Sequence, residues 1–208
     1  MGGMSAFTPG REPEVREAQT KKVLEDKGRE ASIGHDGCWV SHPFFIGPAR
    51  AQFKKKNQLD VLLEDFPDRP DLLPSGEGPK TLQGLRTNIR VGIAYVHGWN
   101  EGLGCVAFDN LMEDLATLEI SRAQVWQWLH HRVILDDGTQ VSADLVKQLF
   151  EEECQKILEE IRPEVGDRFE THKKDWIKAR DESCALFLRD ELSDFLTMAS
   201  PQPQRKET

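Results

Sequence analysis

Asn110-Leu111-Met112-Glu113-Asp114-Leu115-Ala116-Thr117-Leu118-Glu119-Ile120-Ser121 places two adjacent carboxylates in an otherwise apolar and small-residue run. Ser121 followed three residues later by Gln124 is a capping-box pattern and predicts a helix opening at Arg122. Val125, Trp126, Leu129 and Val133 then recur at helical spacing. Glu113 and Asp114 therefore fall in a connection at a helix entrance. Connections held by rigid flanks are where catalytic groups concentrate. Taken alone, a Glu-Asp pair reads more simply as a solvated acidic turn.

On the C-terminal side the helical rhythm continues. Ser142 to Ile161 carries Leu145, Leu149, Phe150, Ile157, Leu158 and Ile161, and Phe169 to Leu196 carries Trp176, Leu186, Leu188, Leu192 and Phe195, with a break expected near Asp181. Asp136-Asp137-Gly138 is a turn between helices. On the N-terminal side, Leu82, Leu85, Ile89, Ile93, Val96 and Trp99 form another helical stripe. Trp126, Trp128 and Trp176 read as core of this helical region, because large aromatic side chains dominate buried area. Before it, Pro67, Pro70, Pro74 and Pro79 with Gly76 and Gly78 mark residues 66–80 as a linker.

Upstream of the linker the pattern changes. A Gly-rich start leads into a charged helix with Pro13 in its first turn, whose inner face is expected at Val15, Ala18 and Leu24. Cys38-Trp39-Val40, bounded by Asp36-Gly37 and Pro43, fits a buried strand of a parallel sheet. Helix then strand is the rhythm of a β/α barrel. The expected fold class is α/β: a partial TIM-type barrel edge over residues 1–65, the linker at 66–80, a mainly α-helical domain at 81–200, and a disordered tail at 201–208.

The chain has 208 residues and a formal net charge of −9, which argues against a general phosphate-tracking nucleic-acid surface. Lys54-Lys55-Lys56 is a local basic triplet, either a solvated helix face or a patch for an anionic cofactor. Cys38, Cys105, Cys154 and Cys184 are scattered, as reduced intracellular thiols are. The histidines have no metal-ligand spacing; His130 and His131 are neighbours and His97 is isolated. No apolar run approaches the ~20 residues of a membrane span, and no signal region opens the chain. These features point to a cytoplasmic protein; Arg205-Lys206-Glu207-Thr208 is not a Ser-Lys-Leu-type peroxisomal address, which leaves a peroxisomal or glyoxysomal location as the alternative.

Leu111 to Ser121, continued by Arg122 to His130, resembles the C-terminal signature of malate synthases. Gly2 to Phe7, Asp26 to Ala31, Gly34 to Pro43, Leu85 to Tyr95 and Asp194 to Thr197 resemble further blocks of the same family, in the same order. The resemblance implies condensation of acetyl-CoA with glyoxylate and water to give malate and CoA, within the glyoxylate cycle. It makes Asp114 the general base that removes a proton from the acetyl methyl group. Leu111, Met112, Leu115 and Ala116 would lower polarity around it, and small Ala116 and Thr117 would admit a pantetheine tail. Glu113 is expected to be structural, pairing with a backbone amide at the helix entrance. Trp39, His42, Met112 and Cys105 are the weaker candidates for substrate contact.

The resemblance also implies Mg²⁺, with its ligands and the enolate-stabilising arginine expected upstream of this chain and no metal ligand within it. The chain would then be a C-terminal part of the enzyme, inactive alone. Asn100 and Leu103 depart from the family pattern, and Leu115 stands where a small residue is usual. Two other readings compete. One is a noncatalytic remnant that keeps the helical domain for binding a partner. The other is a citrate-lyase-type thioester enzyme sharing the strand Asp36 to Pro43, against which the motif at Asp114 argues.

Overall fold

The computed structural model describes residues 1–62 and 78–196, so the expected tail and almost all of the expected linker lie outside the described residues. The chain divides into two compact units. The first comprises residues 1–77 with Asp109–Met112, and the second comprises residues 78–108 with 113–208.

In the first unit β1 (Gly2–Ser5) and β2 (Cys38–Val40) pair in parallel, with Gly2 opposite Cys38 and Ser5 opposite Val40. A parallel pair needs a long crossover, and α1 (Pro13–Ser32) supplies it. Pro13 occupies the first turn, where its missing N–H costs nothing. The expected inner face is wrong. Val15 and Ala18 are exposed and Leu24 is only half-buried, while Gln19, Val23, Lys27 and Glu30 are buried. Polar side chains can occupy a buried face when each is paired. Lys27 Nζ donates to Gly3 O at 2.6 Å and lies 2.8 Å from Asp26 and 3.1 Å from Glu30. These partners pull the Lys27 pKa up against the effect of burial. A search for apolar periodicity cannot find such a face.

Val23 packs with Phe45 and Ala49, which come from a 3-10 turn (Pro43–Phe45) and α2 (Ile46–Arg50). β2 is a parallel strand but not a buried one: Trp39 is 61% exposed. Two strands alone cannot cover both faces, as parallel sheets normally require. Lys54, Lys55 and Lys56 follow α2 in irregular, exposed chain, so they form no helix face. Lys54 and Lys55 border a polar cavity of about 400 Å³ with His35 and Gln58.

The second unit is mainly helical. α3 (Leu82–Asn100) starts at Thr81, whose hydroxyl accepts from Gly84 N at 3.0 Å. Its Leu85, Ile89 and Ile93 are fully buried, as the stripe predicts. α5 (Ala143–Val165) starts at Ser142 and runs past the expected end at Ile161, with Pro163 inside it. α6 (Phe169–Phe187) passes Asp181 without a break and ends earlier than the stripe suggests; Leu192 and Phe195 are exposed. Gly92 lets α3 and α6 approach, since a Cβ there would lie 2.7 Å from the Phe187 ring. Trp128 and Trp176 are buried in this core, whereas Trp126 is half-buried with Nε1 donating to Arg189 O at 3.0 Å. Among the described residues no helix is long and apolar enough to cross a membrane.

Two departures concern the stretch that opens the sequence reading. A β-hairpin, β3 (Cys105–Phe108) and β4 (Leu111–Asp114), interrupts the expected run of helices. The helix expected from Arg122 begins seven residues earlier, as α4 (Leu115–His130). Ser121 is buried inside it and caps nothing.

Candidate active site

Asp114 is the last residue of β4 and the N-cap of α4. Asp109 and Asn110 make the hairpin turn with φ of 48° and 61°. Both central residues at positive φ define the turn that matches strand twist, and Asp and Asn tolerate that region better than other side chains. The strand ends at Asp114 because its side chain replaces ladder bonds with capping bonds. Asp114 Oδ1 accepts from Thr117 N at 3.2 Å, and Thr117 Oγ1 accepts from Asp114 N at 2.9 Å. This reciprocal box orients the carboxylate and engages one of its two oxygens. The local signal for this cap is Asp114-x-x-Thr117, which competes in the sequence with Ser121-x-x-Gln124. Glu113, expected at the helix entrance, is instead buried within β4 and is not the cap.

Tyr95 is the residue that sequence reading missed. It is the chain's single tyrosine, fully buried on α3. Its hydroxyl donates to Gly104 O at 3.3 Å, beside Cys105 at the start of β3. Burial pushes the phenol pKa up, and the charges of Asp114 and Cys105 push it further. Tyr95 also stacks on Trp99, with centroids 6.2 Å apart. Both border a cavity of about 400 Å³ that includes Leu115, Leu118, Leu186 and Arg189. Leu115, directly after Asp114, is thus a wall of this cavity. Gly98 brings α3 against β3, because a Cβ there would fall 2.2 Å from Val106 Cγ1.

The remaining candidates are dispersed. Cys105 is exposed at the start of β3. In the first unit, Met112 N donates to Ala6 O at 2.7 Å. Trp39 is exposed on β2, its indole N–H directed at Met1 Sδ. His42 Nδ1 accepts from Phe44 N at 3.1 Å, which caps the 3-10 turn and leaves Nε2 as the free ring nitrogen. Among the described residues no group of three or more His, Cys, Asp or Glu side chains is placed to hold a metal ion.

Both units match family models. Residues 1–67 match the malate synthase TIM barrel domain and residues 79–202 match the malate synthase C-terminal domain. The chain belongs to the malate synthase family. It is 42% identical over 205 residues to malate synthase A of Escherichia coli strain K12, covering 95% of this chain and 38% of that protein. Malate synthase of Myxococcus xanthus is 47% identical over 166 residues, 77% of this chain and 31% of that protein. The glyoxysomal malate synthase of Gossypium hirsutum is 41% identical over 212 residues, 95% of this chain and 36% of that protein. The chain therefore spans about a third of the length of the curated relatives it matches.

His97, isolated in the sequence, is half-buried in the second unit with its Nε2 out of solvent, and stacks on Trp176 with ring centroids 3.9 Å apart. Burial holds its pKa below the usual value, although Glu101 and Asp175 pull it up. A histidine depressed on folding stays neutral in the native state while the unfolded chain takes up a proton near pH 6.5. Its contribution is complete above that value and is lost as pH falls towards the folded pKa. Thermal unfolding followed from pH 7 to 5 should show a shallower acid loss for His97→Phe, which keeps the stack, than for the native chain. Parallel curves would remove His97 from the acid response.

Proposed function

We propose that this chain supplies the general base and the C-terminal part of a malate synthase, which condenses acetyl-CoA with glyoxylate and water to give malate and CoA. The observation that carries the reading is Asp114, fixed at a strand-to-helix junction in the Met112-Glu113-Asp114 run, within the segment that matches the family's C-terminal domain. A thioester methyl group is a weak carbon acid, so its base must be held against it and unable to swing away. The Thr117 cap does that with one carboxylate oxygen and leaves the other to receive the proton. The resulting enolate carbon attacks the aldehyde carbon of glyoxylate, forming the new C–C bond. Hydrolysis of the malyl thioester then releases malate and CoA.

β1, α1 and β2 are assigned here as one edge of the barrel. Cys105, Met112, Trp39 and His42 are the candidates for substrate contact. Mg²⁺ is implied by the family, but the described residues bring no cluster of ligands together for it, so no step is drawn through it. The match of both units to malate synthase models favours this reading over a citrate-lyase-type enzyme.

The test is CoA release followed with a thiol reagent, with and without glyoxylate. The 208-residue polypeptide alone should give no glyoxylate-dependent release, because a base without preorganised stabilisation of the enolate oxygen faces most of the barrier. A mixture with a polypeptide carrying the remaining barrel of a relative should give release. Failure of that mixture, with both parts folded and associated, would favour the noncatalytic reading.

A further inference from the structure

The strand that ends in Asp114 is tied down at its start by a residue 91 positions away in sequence. Gln19, on the second turn of α1, is 6% exposed. Its Oε1 accepts from Gly10 N at 2.7 Å and its Nε2 donates to Asn110 O at 3.4 Å. Gly10 lies in the loop that leaves β1, and Asn110 is the second residue of the hairpin turn that opens β4.

The same loop and turn are joined by main-chain bonds. Thr8 N donates to Asn110 O at 2.9 Å, Met112 N donates to Ala6 O at 2.7 Å, and Phe7 and Leu111 form an antiparallel bridge. Ser41 Oγ donates to Phe7 O, which fixes the loop to the end of β2. Asn110 O thus uses both lone pairs, one on Thr8 and one on Gln19. A single two-sided amide closes the circuit from loop to turn. Leucine or methionine at position 19 would fill the volume and make neither bond. Gly10 is also sterically required, since a Cβ there would lie 2.5 Å from Val15 Cγ1.

We infer that Gln19 is a positioning residue for the Leu111–Asp114 strand, setting where the chain enters the Met-Glu-Asp motif. The catalytic consequence rests on the assignment of Asp114 as the base; the structural one does not. Gln19 touches no reacting atom. It acts through Asn110 and the main-chain bonds Thr8 N to Asn110 O and Met112 N to Ala6 O, so its loss should change the placement of a group two residues beyond Met112 far more than it changes substrate affinity.

Amide hydrogen exchange on the 208-residue chain tests the structural part without any need for activity. In Gln19→Met, exchange at Thr8 and Met112 should rise at least tenfold, while the amides around Val23 on the same helix keep their native rates. Gln19→Glu keeps an acceptor for Gly10 and loses the donor to Asn110. It should therefore raise exchange at Thr8 and Met112 while Gly10 stays protected, which separates loss of the tie from loss of the helix. In a catalytically competent chain carrying these residues, Gln19→Met should lower kcat by about tenfold with the KM for acetyl-CoA within about twofold, the signature of a displaced group rather than a lost contact. Native exchange at Thr8 and Met112 in both variants overturns the assignment. So does a normal kcat for Gln19→Met in a chain that Asp114→Asn inactivates.

Discussion

Replacing Asp114 by asparagine in a catalytically competent chain should lower kcat by at least ~10², the lower range for loss of a general base. Asparagine keeps the shape of the side chain and its Oδ1 can still accept from Thr117 N, so the cap and the strand-to-helix junction should survive. Only the ability to take a proton is removed. KM for acetyl-CoA should change little, because the proposed role brings the carboxylate to the methyl group alone. The measurement is CoA release with saturating glyoxylate, together with exchange of the acetyl methyl protons into deuterated water, which isolates the abstraction step. Near-normal turnover of Asp114→Asn would show that the base lies elsewhere. Thr117→Val provides the complement: it removes the Oγ1 that accepts from Asp114 N and keeps both the carboxylate and its bond from Thr117 N, so any loss it causes measures the backbone half of the box rather than basicity.

Glu153→Gln should markedly destabilise the helical unit. The Glu153 side chain is 2% exposed on α5, where Oε1 accepts from Arg86 Nη1 at 2.5 Å and from Lys156 Nζ at 2.7 Å, while Oε2 lies 3.6 Å from Arg90. Burial pushes its pKa up, but Lys156 and Arg86 pull harder and leave it lowered. Neutralising it removes one acidic partner from arginines that are themselves 19% and 11% exposed, while Glu152 stays 2.6 Å from Arg86 and Glu160 2.9 Å from Arg90. Breaking a buried pair outright costs about 3–5 kcal/mol, and the carboxylates that remain place this substitution at the low end, about 3 kcal/mol. For a domain of this size that corresponds to a Tm lower by roughly 10 °C. The sign with pH is that of a depressed carboxylate: the stabilisation is present above its unfolded value near 4.5 and is lost as pH falls through the folded one. Glu153→Gln should therefore unfold with less dependence on pH below 5 than the native chain. A Tm within 2–3 °C of native, about 1 kcal/mol, would mean that solvent screens the network more than its burial implies.

The two substitutions probe features that differ in how far the sequence reveals them. Apolar spacing alone placed α3 and α5, because Leu85, Ile89, Ile93, Leu149 and Ile157 face a core made of their own kind. The parallel strand at Cys38–Val40 was legible from its boundaries. The family was legible too, because the matched blocks run through nearly the whole chain. These are properties of local order along the chain: a period, a stop signal, a run of particular residues.

Tertiary structure decided what depends on partners remote in sequence. Gln19 and Lys27 occupy the inner face of α1 because Gly10, Asn110, Gly3, Asp26 and Glu30 satisfy them, and the Asn110 carbonyl lies 91 positions from Gln19, beyond any local window. The hairpin at Cys105–Asp114 escaped a helical reading because it is only four residues per strand, too short for a period to register, and its stability comes from pairing across the turn. Two candidate caps, Asp114 with Thr117 and Ser121 with Gln124, carried comparable local signals. The choice fell to Asp114 because the residues from Leu115 on pack as helix, burying Leu118, Ser121 and Val125 together. The sequence by itself determined the family and the residue proposed as base; the fold determined that this residue also begins a helix, and which distant side chains hold the strand leading to it.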